Sequence, residues 1–157
     1  MLGKTANGLF WMYRYLERAE IIARLIETGQ RIALTRLQRN DEEWTSVLQS
    51  ADALSGFQAA NGEVSKDAAI DWLLRDKDNP SSIYSCIAAA RQNGRMVRTA
   101  ITGDVWEATN SAYMKTKTRL ARRVSERDLP AVLKEIRQAV SLVRGTTLGT
   151  MMRNDIY

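Results

Sequence analysis

Leu9-Phe-Trp-Met-Tyr-Arg-Tyr-Leu-Glu-Arg-Ala-Glu-Ile-Ile-Ala-Arg-Leu-Ile26 is the stretch whose reading decides the fold. At about 100° per residue, Trp11, Met12, Tyr15, Leu16, Ala19, Ile22, Ala23 and Ile26 form one broad apolar arc, while Phe10, Ile21 and Leu25 fall outside it. A helix apolar almost all round is expected to be covered by other helices. Arg14, Glu17 and Arg18 sit within it at i, i+3 and i+4. Covering such ions costs several kcal/mol each unless they are paired and hydrogen-bonded, so this segment is expected to hold a buried charge network that serves structure or function.

Outward from that helix, the 157 residues give about six helices, no strand and an all-α antiparallel bundle. The first helix runs from near Thr5 to about Arg39, with Gly29 inside it as a weak point. A second starts at the cap Asp41, carries Trp44, Val47, Leu48, Ala51 and Leu54, and stops at Ser55-Gly56. The third covers Lys66 to Arg75 with Ser65 as cap. Asn79-Pro80-Ser81-Ser82 signals the start of a fourth, which runs to about Ile101. Thr102-Gly-Asp104 breaks the chain before a fifth helix from Val105 to about Val124, with Trp106, Tyr113 and Leu120 at heptad spacing. The last opens after Asp128-Leu-Pro130 and holds Val132, Leu133, Ile136, Ala139, Val140 and Val143.

Composition narrows the chemistry. Hydrophobic residues make up 45% and charged residues 26% of a chain with two prolines, a balance that suits an ordered helical domain. Residues 9–16 lack the cleavage site of a signal peptide, and no run approaches the roughly 20 apolar residues of a membrane span, so a cytoplasmic protein is expected. Histidine is absent, which removes the commonest general base and transition-metal ligand. Cys86, the single cysteine, lies between apolar neighbours and reads as a packed hydrophobe. No phosphate loop or nucleophile elbow occurs, so neither a metal nor a cofactor is expected. Any catalysis rests on carboxylates, arginines, lysines, tyrosines or hydroxyls.

Arg91, Arg95 and Arg98 share one helix face at i, i+4 and i+7. They form a solvated basic face, pair with Glu17 and Glu20 of the first helix, or grip a ligand carboxylate or phosphate. The net charge of +5, with Lys115, Lys117, Arg119, Arg122 and Arg123 at the end of the fifth helix and Arg31, Arg36 and Arg39 at the end of the first, suits RNA or an acidic protein. Cations at helix C-termini also follow from the helix dipole, so nucleic acid stays an alternative.

Arg14-Tyr-Leu-Glu-Arg-Ala-Glu20, preceded by Leu9-Phe-Trp11, resembles the signature of the bacterial Alpha-E domain, a helical domain named for its Glu-Arg motif. Asn79-Pro80-Ser-Ser-Ile83, Ala90-Arg91-Gln-Asn93-Gly-Arg95-Met-Val-Arg98 and Trp106-Glu107-Ala-Thr-Asn110 resemble further landmarks of that family in the same order. Gln92 stands where the family commonly has an acidic residue and Gly94 where it has alanine. The resemblance implies a single Alpha-E-like domain over residues 1–157. It also implies a longer parent with a second similar half, so this chain reads as a fragment or half-length version, paired with itself through the face a second half would cover.

The family is further associated with ATP-grasp ligases and transglutaminase-like proteins, which implies an accessory role in a peptide or amide-bond-forming system. Carried over by position, Glu17 and Arg18 are the central candidates, surrounded by Arg14, Arg91, Asn93, Arg95 and Arg98. A carboxylate held among arginines stays ionised, which suits a binder that orients guanidiniums around an anion. Two alternatives stand beside it: a salt-bridge network that fixes helix register, and a stand-alone enzyme using Glu17 or Asp104 as base with Tyr13 or Tyr15 assisting.

Overall fold

A computed structural model describes residues 2–35 and 41–151. Among them are seven α-helices: α1 (Leu2–Thr35), α2 (Glu42–Ser50), α3 (Leu54–Asn61), α4 (Lys66–Leu74), α5 (Ile83–Met96), α6 (Gly103–Arg119) and α7 (Leu129–Thr150). No described residue lies in a strand, so the all-α expectation holds, with one helix more than the sequence reading counted.

The helix starts follow local chemistry. Ser65, Ser82 and Thr102 each accept a hydrogen bond from the backbone N–H three residues on, at Ala68, Ser85 and Val105. Each bond satisfies a donor that the first helical turn leaves without an intrahelical partner. The extra helix corrects the reading of Ser55-Gly56 as a stop. The chain turns earlier, at Asp52 with φ 53°, and the Ala53 N–H closes back on the Leu48 carbonyl at 2.8 Å. Ser55 and Gly56 then fall inside α3. The fourth and fifth expected helices also end sooner than read, at Met96 and Arg119, the former followed by a short 3-10 turn over Arg98–Ala100.

Helices α1, α5, α6 and α7 close into an antiparallel four-helix ring. On α1 and α5, Gly8 faces Val97 while Met12 faces Gly94. A Cβ at Gly8 would lie 2.4 Å from Val97 Cγ1, so only glycine lets these two helices approach so closely. On α1 and α7, Tyr13 meets Thr147, Glu20 meets Arg144 and Glu27 meets Arg137. Arg91 bonds Asn110 across α5 and α6, and Arg119 bonds Glu135 across α6 and α7. Short helices α2 to α4 cover the C-terminal half of α1, where Trp44 and Val47 pack on Gly29 and Phe57 meets Trp72 edge-on.

The core has two parts. One joins the α2–α4 cap to the adjoining end of the bundle and includes Ile22, Ile26, Trp44, Leu48, Phe57, Leu73 and Leu133. The other, with Met12, Leu16, Ala90, Val105, Val140 and Val143, fills the opposite end. Helix α1 contributes to both, which gives every other element a position relative to its surface.

Candidate functional site

Arg14 and Glu17 lie on the solvent face of α1. Their side chains are 52% and 51% exposed and pair at 2.8 Å. This corrects the expectation of a covered charge network. Neighbours pack on α1 from one side only, leaving Phe10, Arg14, Glu17, Ile21 and Arg24 exposed. An exposed i, i+3 pair contributes little, so Glu17→Ala is expected to change the unfolding free energy by no more than about 0.5 kcal/mol. A urea titration checks this; a loss of several kcal/mol would return Glu17 to the core.

The buried acid is Glu20, one turn further on, with its side chain 11% exposed. It sits four residues after Leu16 and three before Ala23, both core residues, so helical periodicity alone carries it inward. One carboxylate oxygen accepts from Arg24 at 3.0 Å and the other from Arg144 of α7 at 2.5 Å. Burial pushes this carboxyl upward, but the hydrogen bonds and charges of Arg24 and Arg144 outweigh it, and the group titrates below the ordinary carboxylate range. Glu20 therefore stays ionised and organises two guanidiniums, the behaviour the sequence had suggested for Glu17.

Beside this pair, α1 and α7 bound an open groove of about 1080 Å³. Its apolar surface comes from Leu2, Leu9, Phe10, Leu16, Ile21 and Val140, and Arg14, Glu17, Glu20, Arg24 and Arg144 also line it. Tyr13 opens onto it as well. Its phenol hydrogen-bonds the Thr147 hydroxyl at 2.7 Å, and burial, partly opposed by that bond, raises its pKa.

The other predicted residues are dispersed. Arg18 faces away from the groove, 6.0 Å over the Tyr15 ring and near Cys86. Cys86 is fully buried, as expected, and burial pushes its thiol up to about 11 against a weaker downward pull from Arg18. Arg91 turns toward α6, donating to Asn110 Oδ1 at 2.8 Å and lying 4.6 Å over the Tyr113 ring. Asn93 donates back to the Ala89 carbonyl, Arg98 lies 5.8 Å over Trp106, and Arg95 is exposed in the last turn of α5. Pairing with Glu17 and Glu20, one of the three readings of these arginines, does not occur: Arg91 and Arg98 meet Asn110, Tyr113 and Trp106, and Glu20 is held by Arg24 and Arg144.

Elsewhere, Arg119 pairs with Glu135 and Arg123 with Asp71, which neutralises part of the basic patch at the end of α6. Arg36 and Arg39 lie outside the described residues. No group of three or more acidic or cysteine side chains suited to a metal occurs among the described residues, and no described helix is long and apolar enough to cross a membrane.

A helical ring whose longest helix carries the Glu17-Arg18 step defines a class: an all-α domain with a Glu-Arg motif. The chain belongs to the Alpha-E family, described as a predicted alpha-helical domain with a conserved ER motif, whose family model matches residues 1–157. It is also 32% identical to an uncharacterised protein of Mycobacterium bovis and to uncharacterised proteins from two strains of Mycobacterium tuberculosis. Each of these alignments covers 66% of this chain and 13% of the relative, so the chain spans a small part of the relatives' length. No solved structure matches it.

Proposed function

We propose that this chain is a helical binding module of a bacterial peptide or amide-bond-forming system, acting with an ATP-grasp ligase or a transglutaminase-like protein. The observation that supports this reading is the α1–α7 groove, in which apolar surface and three guanidiniums over two carboxylates converge on one open concavity. Such a mixture suits an apolar segment ending in, or carrying, a carboxylate or phosphate. A guanidinium has five donors, and the hydrogen bond to Glu17 engages one nitrogen of Arg14. A second anion is thereby accommodated without breaking the existing pair. The anion-binding role belongs to Arg14, Arg24 and Arg144, with Glu20 as the positioning residue; Arg18, Arg91, Asn93, Arg95 and Arg98 lie off the groove.

A structural reading has its own support in Glu20, whose two partners tie α1 to itself and to α7. The two readings part in a binding experiment. The purified chain is mixed with a bacterial ATP-grasp ligase and, separately, with a bacterial transglutaminase-like protein, and complexes are followed by size-exclusion chromatography. Co-elution with one of them is expected, weakened about tenfold by the paired change Ala6→Glu and Arg24→Ala in the groove. No complex with either protein, or a complex indifferent to that change, would leave the scaffold reading in its place.

A further inference from the structure

Exposed positions along the outer face of α1, from Gly3 to Thr28, recur in alternating steps of four and three residues. That spacing is the seam of a coiled coil, and over this length it extends about 38 Å. The residues that occupy it are arranged symmetrically. Phe10, Arg14, Glu17 and Ile21 read apolar, cation, anion, apolar, with steps of four, three and four, and Asn7 and Arg24 flank them at equal distance. Phe10 is 60% exposed and Ile21 48%, so both large apolar side chains stand in water on this seam.

We propose that this seam docks a second copy of the same chain, antiparallel, about a two-fold axis passing between Arg14 and Glu17. In that register each position meets the one that sums with it to the same total. Phe10 lies opposite Ile21 of the second copy, Arg14 opposite Glu17, and Asn7 opposite Arg24. Every contact occurs twice, as an isologous interface requires. Two Arg14–Glu17 pairs that are weak within one helix become a four-charge cluster of alternating sign between two helices, flanked on both sides by covered apolar residues. A parallel pairing would place Arg14 against Arg14 and Glu17 against Glu17, so the charges select the antiparallel register. Phe10, Arg14, Glu17, Ile21 and Arg24 also line the groove, so a second copy and the ligand proposed above contend for one surface, while Ala6, Glu20 and Arg144 lie off the seam toward α7.

Charge reversal tests both the contact and its register. All four residues are exposed, so Arg14→Glu and Glu17→Arg are expected to fold as the parent does, as far-ultraviolet circular dichroism checks. Sedimentation over a micromolar concentration series should show reversible dimerisation of the parent chain. Each single reversal places like charges opposite one another and is expected to weaken self-association at least about tenfold. An equimolar mixture of the two single variants should associate again, because the Arg14→Glu copy then offers two anions to two cations, and the doubly reversed chain should pair with itself. A parent chain monomeric throughout the series, single variants that dimerise as the parent does, or a mixture that fails to recover would each overturn the proposal. None of these measurements contains a partner enzyme, so their outcome is separate from that of the groove test.

Discussion

Trp44→Ala is expected to lower the unfolding free energy by about 3–5 kcal/mol, the range for removing a fully buried large aromatic side chain. Trp44 is 1% exposed, and its ring edge lies where Gly29 leaves room: a Cβ on Gly29 would sit 3.0 Å from Trp44 Cη2. Filling and hollowing are thus matched across the α1–α2 contact, and α1 has little freedom to collapse into the space left by an alanine. Guanidinium denaturation measures the effect. Because the cap and the adjoining end of the bundle share one buried cluster, a single transition with an unchanged slope is expected. A biphasic curve would show instead that α2 to α4 unfold as a unit of their own.

Arg144→Glu is expected to cost about 2 kcal/mol, less than the roughly 3–5 kcal/mol of breaking a fully buried pair. The reduction follows from geometry: Glu20 is enclosed, but the Arg144 side chain is 52% exposed and its charge is screened by water. The variant sets two carboxylates against each other between α1 and α7, with Arg24 as the remaining cation on Glu20. The pH profile of the unaltered chain carries a second expectation. The folded-state pKa of Glu20 is depressed, so its stabilisation is present above the ordinary carboxylate pKa and is lost as pH falls through the lower folded value. Glu20→Gln should flatten that acid limb, and a variant with an unaltered limb would remove Glu20 as its source.

The contrast between Glu17 and Glu20 shows what a single sequence makes legible. Helical periodicity was sufficient for α1, the cap at Ser65 announced itself by residue type next to a break, and Asn79-Pro80-Ser81-Ser82 marked the start of α5 without singling out Ser82 as its cap. The arc drawn on α1 included Trp11, which is 38% exposed, and so the covered sector was placed too far from Glu20. Leu16 and Ala23, one turn to either side, held the signal that would have brought Glu20 inside. Its partner was beyond reach, since nothing local ties position 20 to Arg144, 124 residues later. The same holds for Arg91, whose neighbours Asn110 and Tyr113 become visible only once α5 and α6 are set antiparallel. Breaks in the chain were subtler: Asp52, with its positive φ, ends the turn after α2, although Ser55-Gly56 carries the more familiar stop chemistry.

The closure of α7 against α1 also has a consequence for how the chain is made. Tyr13, Glu20 and Glu27 meet partners 134, 124 and 110 residues downstream. At a synthesis rate of about 5–20 residues per second, α1 leaves the ribosome on the order of ten seconds before α7 can reach it. Helix α5 emerges sooner and covers one flank of α1, while the flank carrying Leu9, Tyr13 and Glu20 waits for α7. The nascent protein therefore passes through a stage in which α1, α5 and α6 are present with that flank bare, and α7 is the helix that shuts the ring.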